Sequence, residues 1–129
     1  MAKRLFLLLW TVLTIFPIVV IGRVSPQFMR VFNSIFGPDW VHVLMHTALF
    51  CGLVLLLLVG FRLKPGGRAV GAALLAILAV AFLQEGLQAL GQGIFYLRGT
   101  LFDLGVDLLG GAIGYGIYTS FSLMKREFP

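Results

Sequence analysis

The sequence predicts an all-α polytopic membrane protein: a four-helix transmembrane bundle with a short interfacial amphipathic helix between spans one and two. Three observations carry this prediction. Of the 129 residues, 60% are hydrophobic and mean hydropathy is +1.02, more apolar side chain than a soluble domain of this length can hide. The apolar residues fall into four stretches of bilayer length, at about 5–22, 40–61, 69–91 and 101–123. The ten Lys and Arg residues lie at the ends of these stretches or between them. A single domain over residues 1–129 fits the length. The net charge of +5 therefore reads as a topology signal, with anionic lipid headgroups as the alternative partner and no nucleic-acid patch. Cys51 is the only cysteine, which excludes an internal disulfide.

The first stretch follows Lys3 and Arg4 and runs from Leu5 to Gly22 without a charge. A basic start before an apolar run also describes a signal peptide, with Val20-Ile21-Gly22 as the candidate cleavage point. The length of the run and the lack of an A-x-A site favour a retained span, kinked at Pro17. Ser25 then offers an N-cap and Pro26 suits the first helical position. Phe28, Val31, Phe32, Ile35 and Phe36 follow the helical spacing i, i+3, i+4, i+7, i+8, so residues 26–36 read as an interfacial helix ended by Gly37-Pro38.

Asp39 is placed to cap the second span, with Trp40 as an interfacial anchor. His42 and His46 are four apart and share a face. They lack the H-E-x-x-H pattern of a zinc protease. A basic turn around Lys64 and Arg68 leads to the third span. Its first half is rich in Gly and Ala, and its second half carries Gln84, Glu85 and Gln88 close to one side. Residues 94–100 read as a turn containing Arg98. The fourth span holds Asp103 and Asp107 on one face, then the GxxxG of Gly110 and Gly114 and a second small pair, Ala112 and Gly116. The GxxxG is expected to pack against the Ala-rich third span.

Four spans divide the charges. Lys3, Arg4, Arg62, Lys64, Arg68, Lys125 and Arg126 fall on one side; Arg23, Arg30 and Arg98 fall on the other. The positive-inside rule places both termini in the cytoplasm. Counting along each helix at about 1.5 Å per residue puts His46, Glu85 and Asp107 roughly 9–11 Å below the outer boundary. Gln88, His42 and Asp103 lie one turn shallower, and the cytoplasmic halves of these spans carry no Asp, Glu, His, Lys or Arg to bury. Isolated charges at that depth are costly, so the pattern predicts mutual pairing in one polar pocket open to the outer leaflet.

These residues resemble the VanZ-like membrane protein family. His46 with Phe50 is similar to its H-x-x-x-aromatic element, and Glu85-Gly86-Leu87-Gln88 to its E-x-x-Q element. Arg98 followed by Asp107 and Gly110 to Gly114 is similar to its R…D-x-x-x-N-x-x-G element, with Gly111 where the family has Asn. Either Asp103 or Asp107 can be the counterpart of the family Asp. The resemblance implies a multi-pass protein of the bacterial inner membrane, related in architecture to one associated with teicoplanin resistance. It implies no reaction, and whether the chain is an enzyme stays open.

The candidate chemistry is an acid/base or orienting set of His46, Glu85 and Asp107, with Arg98, Gln88, Gln84, His42 and Asp103 as ligand-binding residues. Thr47 and Thr100 are the nearest hydroxyls. The expected partners are membrane lipids, a lipid-linked cell-wall precursor headgroup or a glycopeptide. No cofactor is predicted; a divalent metal on His46, Glu85 and Asp107 is compatible with the pattern. Three other readings use the same residues: a non-enzymatic binding module, a helix-packing network in an assembly subunit, and a proton or small-solute path.

Overall fold

The computed structural model describes residues 2–16 and 25–127. These residues form five helices and no strand: α1 (Ala2–Ile15), α2 (Pro26–Phe36), α3 (Asp39–Phe61), α4 (Gly67–Gln92) and α5 (Leu97–Glu127). Three of them, α3, α4 and α5, are long and apolar enough to cross a membrane. The 14 residues of α1 are fewer than the roughly 20 a bilayer requires. Residues 17–24 lie outside the described ones, and with them the expected Pro17 kink, the Val20–Gly22 cleavage candidate and Arg23.

Local chemistry sets the helix ends. Ser25 caps α2, its hydroxyl accepting the Phe28 N–H at 3.3 Å, and Pro26 opens the helix. Asp39 does not cap α3. Pro38 holds the cap position and Asp39 is the first helical residue, where its carboxylate complements the helix dipole. Gly93 ends α4 in the left-handed region at φ 72°, donating its N–H to the Ala89 carbonyl. The turn expected over residues 94–100 is shorter than that. α5 begins at Leu97, and its Thr100 N–H already reaches the Tyr96 carbonyl at 3.0 Å. Arg98 therefore stands on the first helical turn, not in a loop, because no residue after Tyr96 except Gly99 opposes helix formation.

The four longer helices pack up and down. The Arg4 guanidinium lies 5.2 Å from the centre of the Phe61 ring, which sets the start of α1 beside the end of α3. Tyr118 donates to the Leu63 carbonyl, and the Gly66 N–H donates to the Tyr115 hydroxyl at 3.2 Å. The last part of α5 therefore flanks the α3–α4 turn. Thus α3 and α5 run parallel, with α1 and α4 antiparallel to them. Helix α3 touches every other helix, while α1 and α5 occupy opposite corners without contact among the described residues.

The core is built from Phe50, Leu53, Val54 and Leu58 of α3 against Ala69, Ala73, Ile77, Val80 and Ala81 of α4. It fills the half of the bundle near the basic turn. Large apolar side chains such as Leu8, Leu75, Leu90 and Phe121 face outward, as expected where lipid is the solvent.

Trp10 seats helix α1 against α3. The Trp10 indole donates to the Leu49 carbonyl at 2.8 Å and lies over Gly52. A Cβ on Gly52 would stand 2.5 Å from the Trp10 ring. Gly52→Val is therefore expected to push α1 away and cost about 1–3 kcal/mol, the usual penalty of overpacking. Unfolding of the purified protein in mixed micelles measures this. Gly71→Ala, where a Cβ meets nothing within 4 Å, is the neutral control.

Candidate functional site

The site is built on one stripe of α5. Thr100, Asp103, Asp107, Gly110 and Gly114 follow the spacing i, i+3, i+7, i+10, i+14 and so share one face. The lower part of this stripe is a contact between backbones. A Cβ on Gly110 would stand 2.5 Å from the Thr47 carbonyl oxygen, and one on Gly114 would stand 2.6 Å from that of Cys51. The GxxxG thus packs on α3, not on the Ala-rich α4 as its sequence context suggests. The α3–α5 interface is the most extensive in the bundle. The glycine turned to α4 is Gly111, which meets Ile77. The second small pair faces away: Ala112 is exposed, and Gly116 has nothing within 4 Å of a Cβ.

One turn above this crossing the helices exchange polar side chains. His46 Nδ1 lies 2.8 Å from Asp107 Oδ1, and His42 Nε2 lies 2.9 Å from Asp103 Oδ1. The two histidines and the two aspartates are each four residues apart, so parallel helices in register join both pairs at once. The His46–Asp107 pair is buried, its side chains 10% and 3% exposed. The His42–Asp103 pair is more open, at 44% and 14%. The imidazole rings stand 4.4 Å apart, and Phe50 stacks beneath His46 at 6.4 Å. The polar layer therefore rests directly on the apolar core.

Helix α4 brings the third carboxylate. Thr100 donates its hydroxyl hydrogen to Glu85 Oε2 at 2.7 Å. Above it opens a cavity of about 290 Å³ lined by Glu85, Gln88, Ala89, Ile94, Phe95, Tyr96, Gly99, Thr100 and Asp103. Gln84 is not part of that lining, and its Oε1 is buried without a hydrogen-bond partner. Arg98 is exposed and lines an adjoining outer cavity with Phe95, Tyr96, Leu97, Gly99 and Phe102. The residues 95, 96 and 99 form the wall common to both spaces.

The expected residues thus fall into three groups. His42, His46, Asp103 and Asp107 form two pairs between α3 and α5. Glu85 and Gln88 line the cavity with Asp103. Arg98 stands on the far side of the cavity wall. Thr100, in the sequence only a nearby hydroxyl, is Glu85's hydrogen-bond partner. Its place three and seven residues before Asp103 and Asp107 is the signal that could have found it. The ligating atoms that converge for a metal belong to His42, His46 and Asp103, all within 4.8 Å of one another. This differs from the set of His46, Glu85 and Asp107 compatible with the sequence, whose ligating atoms do not converge in this way among the described residues. Comparison with protein-family models, with curated proteins and with solved structures gave no match to this chain.

Proposed function

We propose that the chain is a four-span, VanZ-like protein of the bacterial inner membrane that holds the polar headgroup of a lipid or lipid-linked cell-wall precursor in its outer-leaflet pocket. The observation that carries this reading is the cavity lined by Glu85, Gln88, Thr100 and Asp103, set at the bundle end opposite the basic turn. Two carboxylates and a carboxamide suit a ligand rich in hydroxyl or amino hydrogens. Arg98, beyond the shared wall, suits the phosphate or carboxylate of the same ligand. With Arg62, Lys64 and Arg68 in the cytoplasm, both termini are cytoplasmic and the cavity faces the outer leaflet. Helix α2 then lies in the interface. Its Phe28, Val31 and Ile35 are exposed and need an apolar surface to cover them.

The test is glycopeptide susceptibility of a sensitive bacterial host expressing wild type, Glu85→Gln, Arg98→Ala or no insert, at equal membrane abundance. Teicoplanin-selective protection by wild type is expected, and Glu85→Gln is expected to abolish it. Direct headgroup binding in nanodiscs should weaken about tenfold or more in Glu85→Gln, as expected when a charged hydrogen-bond partner is lost. Protection lost with Arg98→Ala but kept with Glu85→Gln would point to a binding module using the outer cavity alone. Wild type without selective protection or headgroup binding would overturn the reading.

The mutual pairing of His46 with Asp107 favours a second reading, a structural subunit whose polar residues pack its helices. That reading predicts that Glu85→Gln lowers abundance as much as function. A proton or solute path is less well supported, because the core beneath His46 is Phe50, Leu53, Val54 and Leu58.

A further inference from the structure

We infer that His42, His46 and Asp103 form a binding site for a divalent transition-metal ion of the zinc class, with Asp107 orienting His46. Each of the three offers a ligating atom within 4.8 Å of the others, from two helices locked in register. A tetrahedral ion with bonds of about 2.0–2.1 Å needs its ligands about 3.3 Å apart. The His42–Asp103 contact of 2.9 Å must open by a few tenths of an ångström, and no other separation need close by more than about 1.5 Å, within reach of small side-chain rotations.

The second observation is the partner behind the histidine. His46 Nδ1 is held by Asp107, which is 3% exposed, so Nε2 is the nitrogen left to bind an ion. A carboxylate behind a ligating imidazole fixes its tautomer and ring orientation and raises its basicity. Two imidazoles and one carboxylate select borderline ions of the zinc class over calcium or magnesium, which prefer oxygen ligands throughout. Three protein ligands leave a fourth position open. Asp103 also lines the cavity of about 290 Å³, which sets the cluster beside the space proposed for the headgroup. The 44% exposed side chain of His42 provides the route of entry.

The inference stands on this cluster and does not depend on the headgroup reading. Its test measures metal alone, so either can fail without the other. Full-length protein carrying a histidine-free tag would be purified in detergent, stripped with chelator and titrated with Zn²⁺ and with Co²⁺. Binding of one equivalent is expected, with visible Co²⁺ d–d bands of a low-coordinate site, and without competition by equimolar Mg²⁺ or Ca²⁺. His42→Gln and Asp103→Asn, both at the open end of the cluster, should weaken binding at least a hundredfold while helix content stays unchanged. Asp107→Asn should weaken it about 10–100-fold, the usual effect of losing a partner behind a ligand. Wild type that binds less than half an equivalent, or binding unchanged by both His42→Gln and Asp103→Asn, would overturn the site.

Discussion

Asp107→Leu is expected to destabilise the protein by about 3–5 kcal/mol, the cost of removing one partner from a buried ion pair. Asp107 is 2% exposed and the imidazole it faces is almost as enclosed. Its loss leaves His46 Nδ1 without an acceptor, in a layer that rests on Phe50 and admits little water. Asp107→Asn keeps an acceptor oxygen of the same reach, so its cost should fall to about 1 kcal/mol. Most telling is the double variant His46→Phe with Asp107→Leu. Both polar groups are then gone, and apolar side chains of similar size fill the space. Stability should return to within about 1 kcal/mol of wild type while function is lost. Unfolding in mixed micelles, arranged as a double-mutant cycle, measures the coupling. A double variant as unstable as Asp107→Leu would show that the pair is not what Asp107 contributes.

Gly110→Leu or Gly114→Leu should have an effect of the same order, about 3 kcal/mol or more, at the upper end of overpacking costs. A side chain at either position meets backbone, the carbonyl oxygens of Thr47 and Cys51, which cannot rotate aside. Helix α5 must move off α3 as a body. The separation opens the His46–Asp107 and His42–Asp103 contacts above, because both aspartates stand on the same stripe as the glycines. These variants are therefore expected to lose both accumulation and any activity of the site. Gly105→Leu and Gly116→Leu insert the same side chain on the same helix, where nothing lies within 4 Å. They should accumulate like wild type. Equal loss in all four variants would mean that helix propensity, not the α3–α5 contact, governs the effect.

The position of Asp107 between stability and chemistry follows from its place on the stripe. One turn lower the helices are too close for side chains and take glycine. One turn higher, at Asp103, the pair is more exposed. His46–Asp107 is the last pair before the glycine crossing, which sets Asp107 between the helix packing below and the proposed metal site above.

Much of this arrangement is legible in the amino-acid sequence. Helical spacing shows that His42 and His46 share a face, and that Asp103 and Asp107 share another, because a residue's direction around its own axis depends only on local repeat. Hydropathy marks the three stretches that form α3, α4 and α5, because burying apolar length in lipid requires no partner. Helix ends are less legible. Asp39 has the character of a cap residue but is the first helical residue behind Pro38, and the expected turn over 94–100 gives way at Leu97, where only Gly99 opposes helix formation and the Thr100 N–H already bonds the Tyr96 carbonyl.

What the sequence by itself determined is the three long apolar helices, the face each polar residue occupies on its own helix and its position along that helix. Only the tertiary structure decided who meets whom: His46 with Asp107, His42 with Asp103, Glu85 with Thr100, the glycines with α3, and Arg98 across a wall from the others. The reason is geometric. Local periodicity orients a side chain about one helix, but the rotation and neighbour of that helix in the bundle are chosen by the closest backbone approach available. Here that approach is at Gly110 and Gly114, and the polar pairs follow from it.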